Sequence, residues 1–253
     1  MPKSSINAGD IFNTNQGYRV VVVEYNGYND VLVRFLDQNS HEKIVSAGAL
    51  RRGAVANPYH RTMFGVGYFG DGKYKSKIGD KRTLEYEAWR CMMKRCYCPK
   101  ERSRYPTYSD VFVCDEWHNF QNFARWYTEQ PGYGEGFDLD KDLRVNNSRV
   151  YSPQSCSLVP HEINCILHDN ESRRGDYPQG VRKTWNKYSV YISIKGERKY
   201  VGLYPTLEEA HRAYKKSRLA YVKEIAEEYK NVLHNEVYEN LKSWEISSNA
   251  RGP

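Results

Sequence analysis

The sequence predicts an α+β protein of more than one domain, and three observations carry that expectation. Short β-branched runs broken by Gly/Asn turns crowd the N-terminus, as in "YRVVVVEY" (18–25) and "DVLVRFLD" (30–37). A second set of strand-like runs begins at residue 177 and leads into a long stretch of helical spacing. Between the two lie helix-like segments rich in aromatic residues. A chain of 253 residues has room for two or three small domains, each able to bury a core.

Taken in order, residues 1–56 are expected to form a small β-barrel of the SH3-like kind, because "HEKIVSAGAL" and "RRGAVANPY" extend the run of short strands. Residues 57–80, rich in Gly, Tyr and Lys without clear periodicity, are expected to be a linker. Residues 81–170 form the next part. In "TLEYEAWRCMMKRCYC" the positions Leu84, Ala88, Cys91, Met92 and Arg95 fall at helical spacing, Thr83 can cap, and Pro99 ends the pattern. Trp117, Phe120, Phe123 and Trp126 repeat every three residues as a packing stripe, with His118 beside them as a structural or exposed residue. A short linker, 171–176, separates this part from 177–253.

The last part reads as three strands and a helix. "QGVRKTW", "YSVYISI" and "RKYVGLY" are joined by hairpin turns at "NK" and "KGE". Strand alternation puts Val190, Ile192 and Ile194 on one face, and Tyr191 and Ser193 on the other. Thr206 and Glu209 form a capping box, and Ala210, Ala213, Tyr214, Ser217 and Tyr221 make a stripe that seats the helix on the sheet. One more helix is expected after 230, and "SSNARGP" is expected to fray.

Charge narrows the function classes. The formal net charge is +7, and residues 177–230 alone hold 12 Lys/Arg against 6 Asp/Glu. That excess favours a polyanionic partner. The exposed sheet face, with Arg182, Lys183, Trp185, Lys187, Tyr191, Arg198 and Tyr200 as its candidate contacts, offers cations for phosphates and flat rings for stacking. Double-stranded DNA is the expected partner. No apolar run is long enough for a membrane span, and no signal peptide opens the chain, so an intracellular protein is expected. Six cysteines without paired CxxC spacing argue against a disulfide framework and against structural zinc.

"GFDLDKDLRVNNSRVYSPQSCSLVPHEIN" (136–164) carries the chemistry. It reads as a strand, a turn, an extended return and a short helix. That arrangement sets the end of the first strand opposite the helix face, so Asp140 and Asn164 converge, each with a hard oxygen, on one divalent cation. Two such ligands with water and a phosphate oxygen suit Mg²⁺ or Mn²⁺.

Two resemblances sharpen these readings. "GVRK", Trp185 with "NKY", and "RKYVGLYPTLEEAHRAY" resemble the ethylene-response-factor (Apetala-type) DNA-binding domain, over about 50 residues. The resemblance implies that the sheet enters the major groove and that Arg182, Trp185 and Arg198 are contacts, with Tyr200 in place of a family tryptophan. Tyr191 and Ser193 stand where plant domains carry Glu and Arg. "RCYCPK" (95–100), "VCDEWHNFQNFARW" and "YSPQSC" (151–156), in that order, resemble phage-encoded HNH (ββα-metal) nucleases. This implies Asp140 and Asn164 as metal ligands, a general base at position 141 and a loop-bracing residue at position 155. The family has His and Asn at those two places; this chain has Lys141 and Ser155. An ordinary lysine is protonated at neutral pH. Water activation could then fall to a Lys141 neutralised by burial beside the metal, to Asp142, to the metal itself with Lys141 only steadying phosphate charge, or to an inward-turned His161.

The sequence therefore predicts a site-selective DNA endonuclease of the phage homing type, acting in the cytoplasm of an infected bacterium. The alternative is an inactive HNH-fold protein that binds DNA in regulation or competition. An RNA-binding protein would account for the tyrosines but not for Asp140 with Asn164.

Overall fold

The computed structural model describes residues 5–145, 148–167 and 176–244. It is a mixed α+β protein with several small sheets. The expected 171–176 linker, apart from Asp176, and the "SSNARGP" tail lie outside the described residues. The chain divides into two compact units, Met1–Pro106 with Asp115–Ala124, and Thr107–Cys114 with Arg125–Pro253.

The first unit opens with an antiparallel meander of β1 (Ile11–Asn13), β2 (Arg19–Gly27), β3 (Asp30–Phe35) and β4 (Glu42–Val45), in that order across the sheet. Val20, Val22, Val31, Val33 and Phe35 alternate onto one face and are buried there with Ala47, Leu50 and Val55. The expected barrel is not closed: among the described residues β1 and β4 remain the two edges of an open sheet. The reason lies in residues 47–51, read from sequence as part of a strand run. Ser46 accepts a hydrogen bond from the Ala49 amide and caps the short helix α1 (Ala47–Arg51). Ala47 and Leu50 then cover the sheet face that barrel closure would otherwise have to bury.

Residues 57–80 are tied into this unit. The amide of Tyr74 donates to Gln121 Oε1, and Gln121 Nε2 donates back to the Tyr74 carbonyl. β5 (Lys77–Ile78) and β6 (Lys81–Arg82) form a small hairpin before α2 (Leu84–Tyr97). Thr83 caps α2 as expected, accepting from Tyr86. The buried face of α2 is Glu85, Trp89, Met92, Met93 and Cys96, whereas Leu84 is 55% exposed. The expected stripe is rotated because Trp89, the largest side chain, takes the core position and donates from its indole to the Trp117 carbonyl at 2.7 Å. Cys98 ends α2 and opens α3 (Pro99–Arg104), with proline in the first turn. α4 (Asp115–His118) and α5 (Phe120–Thr128) follow, with Trp117, Phe120 and Phe123 fully buried. His118 is structural: its ring nitrogen pairs with the Tyr97 hydroxyl.

The second unit holds the hairpin and the C-terminal sheet. β7 (Phe112–Val113) runs parallel to β9 (Val150–Tyr151), and β8 (Asp138–Asp140) pairs antiparallel with β10 (Ser157–Val159) ahead of α6 (His161–Leu167). β11 (Val181–Thr184), β12 (Lys187–Ile194) and β13 (Glu197–Tyr204) make a three-stranded antiparallel sheet. It is backed by α7 (Leu207–Glu228), which Thr206 caps through the Glu209 amide, and α8 (Asn235–Lys242) follows. Gly180, at φ +76°, must be glycine: a Cβ there would stand 2.2 Å from the Tyr214 ring. One apolar cluster joins Val159 and Ile163, from the hairpin and α6, to Ile192, Tyr221, Val222 and Ile225 of the sheet and α7. No described helix is long and apolar enough to cross a membrane.

Candidate active site and nucleic-acid interface

The β8–β10 register sets the site. Asp138 lies opposite Val159, immediately before Pro160 and the first turn of α6. His161, Asn164 and Cys165 are three and four residues apart and share one helical face. That face meets Asp138. Its Oδ2 accepts from His161 Nδ1 at 2.7 Å and from Asn164 Nδ2 at 3.0 Å. Cys165 Sγ is 3.2 Å from His161 Nε2. A carboxylate only accepts, so Nδ1 carries a ring hydrogen, and in the neutral ring the lone pair is on Nε2. The imidazole is 73% exposed. Burial, and next the nearby Asp138 charge, raise the Cys165 thiol above its ordinary pKa.

The other expected residues are placed as follows. Asp140 shares one face of β8 with Asp138, and its Oδ1 accepts from the backbone amides of Asp142 (2.9 Å) and Leu143 (2.7 Å), fixing the turn after the strand. Asn164 makes its hydrogen bond to Asp138. Lys141 points into the turn and is 9% exposed. Its Nζ donates to Asp142 Oδ1 at 2.6 Å and to the Ser148 carbonyl at 2.8 Å. Lys141 thus acts as a donor to the protein, and Asp142 is its partner. Ser155, at the loop-bracing position, does brace the loop. Its hydroxyl donates to the Val150 carbonyl at 2.5 Å and accepts from the Ser152 amide at 3.1 Å. Asn146 and Asn147 of the turn lie outside the described residues.

Asp138, Cys165 and Arg144 were not singled out from sequence. The signal for Asp138 was its i, i+2 spacing from Asp140, which gives two carboxylates on one strand face. Arg144 donates to the carbonyls of Pro153 and Cys156 and pairs with Glu236 of α8, holding the hairpin loop.

Among the described residues no three His, Cys, Asp or Glu side chains cluster as a metal site. The donor set that is present, two strand carboxylates beside an amide, fits a hard divalent ion that keeps most of its waters and takes further ligands from phosphate. Ser157 Oγ, buried across from Asp140 in the β-ladder and without a hydrogen-bond partner among the described residues, adds a polar atom to the same strand pair. Asp138, Asp140 and Asn164 are therefore the residues that could hold Mg²⁺ or Mn²⁺.

The C-terminal sheet keeps the expected alternation. Val190 and Ile192 are buried against α7. Arg182, Lys187, Tyr191, Ser193, Arg198 and Tyr200 share the opposite face by register. Arg198 lies over the Tyr191 ring at 3.9 Å, and Tyr191 meets Tyr200 at 5.4 Å between centroids. Lys183 pairs with Tyr188, on the side that α7 covers, and is exposed at the edge strand. Trp185 stands at the tip of the β11–β12 hairpin, 92% exposed and at φ +54°. A cavity of about 1060 Å³ has His161 and Cys165 on one wall and Arg182, Tyr191 and Arg198 on another.

Comparison with family models, with curated proteins and with solved structures returned no match to this chain.

Proposed function

We propose that the chain is a DNA endonuclease that hydrolyses phosphodiester bonds. The observation that carries this reading is the exposed His161 ring held by Asp138 at 2.7 Å, beside a second strand carboxylate and an amide. His161 Nε2 accepts a proton from the attacking water, and Asp138 fixes the tautomer and steadies the imidazolium that results. The water oxygen bonds to phosphorus in line as the bond to the 3′-oxygen breaks, and that oxygen takes a proton from solvent. A Mg²⁺ or Mn²⁺ ion held by Asp138, Asp140 and Asn164 would supply positive charge to the phosphate and the leaving oxygen. Lys141 and Asp142 shape the turn rather than move protons.

The sheet face of Arg182, Lys187, Tyr191, Arg198 and Tyr200 supports a DNA duplex as substrate: its cations suit phosphates and its rings suit bases. Trp185 extends that surface. The rival reading, a binder that does not cut, is favoured by one observation: the residue at the resembled family's base position, Lys141, is occupied by protein acceptors.

Supercoiled DNA incubated with the purified chain and Mg²⁺ or Mn²⁺ decides between them. Metal-dependent nicking that chelator abolishes and that His161→Ala and Asp138→Ala lose is the expected result. Binding without nicking under either metal overturns the catalytic reading, and undiminished nicking by His161→Ala overturns the role given to that ring.

A further inference from the structure

The cavity beside His161 is larger than water activation requires. At about 1060 Å³ it lies at the top of the roughly 300–1,000 Å³ typical of small-ligand sites. It forms where the sheet stops being paired. β11 contributes its last ladder partner to β12 at Val181↔Val190, and beyond it, among the described residues, Gly180 alone reaches Tyr191, through the Tyr191 amide. The edge of β12 from Ile192 to Ile194 therefore faces the opening between α6 and α7. Gly180 keeps that corner low, since any side chain there would collide with Tyr214.

Two chemistries meet in the lining. Arg182, Arg198 and Arg218 are set against two carboxylates, Glu135 and Glu162, while Lys195 is paired with Glu228, so the wall keeps a small cationic excess. Arg218 is buried; its Nη1 donates to Gln179 Oε1 at 3.1 Å, and its guanidinium lies over the Trp244 ring at 5.5 Å. Tyr191, Tyr214, Tyr221 and Tyr229 supply flat rings in the same walls. Guanidinium forks bind phosphate bidentately, and aromatic rings stack on bases without regard to sequence.

We infer that this cavity is a single-nucleotide site, with the phosphate at the arginines and the base among the tyrosines. The inference rests on the nucleic-acid reading above and deepens it. A nucleotide drawn out of a bound strand into this cavity brings its neighbouring phosphodiester to His161, so seating and cutting would share one wall. A free nucleotide has the same chemistry and would enter by the same mouth.

The test needs no cleavage and is run in chelator. Fluorescence anisotropy compares a fully paired duplex with the same duplex carrying one mismatch, and a separate titration uses 2-aminopurine deoxyriboside 5′-monophosphate. Glu135→Trp fills the cavity from a lining position off the sheet face, Glu135→Ala removes the same charge and leaves it open, and thermal melts check that both fold. Because extruding an unpaired nucleotide avoids most of the unstacking cost, the mismatch is expected to tighten binding about tenfold. Wild type and Glu135→Ala should show the gain and Glu135→Trp should lose it. Saturable binding of the free nucleotide, lost in Glu135→Trp, also supports the site and identifies a free ligand as its source if the mismatch has no effect. No mismatch effect together with no nucleotide binding overturns the inference, as does a mismatch effect that survives in a folded Glu135→Trp. Failure to nick DNA in the metal assay would leave these readings intact, so the two ideas fail separately.

Discussion

Asp138 and His161 are 23 residues apart in the chain and 2.7 Å apart in space, joined Oδ2 to Nδ1. The strand supplies the acceptor and the helix supplies the ring, and the Val159↔Asp138 register brings them level. His161→Ala should lower metal-dependent nicking by about 10²–10⁴-fold, the usual contribution of a positioned general base. Asp138→Asn should lose much of the same activity while folding normally. Single-turnover nicking of supercoiled DNA measures both, and a wild-type rate in either variant would remove the pair from the mechanism.

Lys141 should matter to folding more than to chemistry. Lys141→Met keeps the apolar stem but leaves the Ser148 carbonyl without its donor, so unfolding in urea should show a loss of about 1–3 kcal/mol. The folded fraction should still nick at close to the wild-type rate. A folded Lys141→Met that has lost all activity would return the lysine to the site.

Partial desolvation and the charge on Asp138 raise the thiol of Cys165, an exposed residue, above its ordinary pKa. Thiolate is the reactive form, so iodoacetamide should label Cys165 more slowly at neutral pH than it labels an unstructured thiol. Removing the charge in Asp138→Asn should move the thiol's titration down and speed labelling. Mass spectrometry of the labelled peptide over a pH series reads the effect; an unchanged profile would show that Asp138 does not act on the sulfur.

Cys156 is fully buried, and that burial pushes its thiol up to about 12. The raised value gives the sign: the fold favours the protonated form, whose stabilisation is complete below the unfolded thiol's value near 9.0 and is lost as pH climbs through the folded value. Stability should therefore decline between about pH 9 and pH 12, and Cys156→Ala should make that decline shallower whatever its effect at neutral pH. Denaturant midpoints measured across the alkaline range give the slope for each protein.

Trp185 sits at a positive φ with nearly all of its ring in water. A non-glycine residue in that region costs about 1–2 kcal/mol, so Trp185→Gly should leave the melting temperature unchanged or raise it. DNA affinity should fall by roughly the 1–3 kcal/mol of one stacked ring. A variant that melts lower and binds as well as wild type would make the tryptophan structural.

Local patterns along the chain were readable where one residue type fixes one conformation. Thr83 and Thr206 cap the helices expected of them, and Val190 and Ile192 face away from Tyr191 and Ser193 as alternation requires. What depended on competition between distant groups was not readable. Ala47–Arg51 is a helix because Ser46 caps it and an open sheet face needs covering, neither of which shows in a β-branched pattern. Trp89 turned α2 away from the expected stripe by taking the core. At the site, Asn164 hydrogen-bonds to Asp138, the second aspartate on the strand face that carries Asp140. Choosing between two aspartates on one strand face needs the hairpin register, and two residues of offset select the other carboxylate.

The shared cluster of Val159 and Ile163 with Tyr221, Val222 and Ile225 bears on how such a protein can be re-engineered or inherited. A reading head that plugs into a cutter through a flexible joint can be exchanged like a cartridge, and its donors need only agree on linker length. On the proposed reading the two are welded here. Grafting a foreign sheet and helix after residue 176 would set unmatched side chains against Val159 and Ile163, while truncation before it would bare them to water and promote aggregation. If the sheet face reads DNA as proposed, new target preferences are more readily reached by substitutions on it, at Tyr191, Ser193 and Arg198, than by recombination at the boundary.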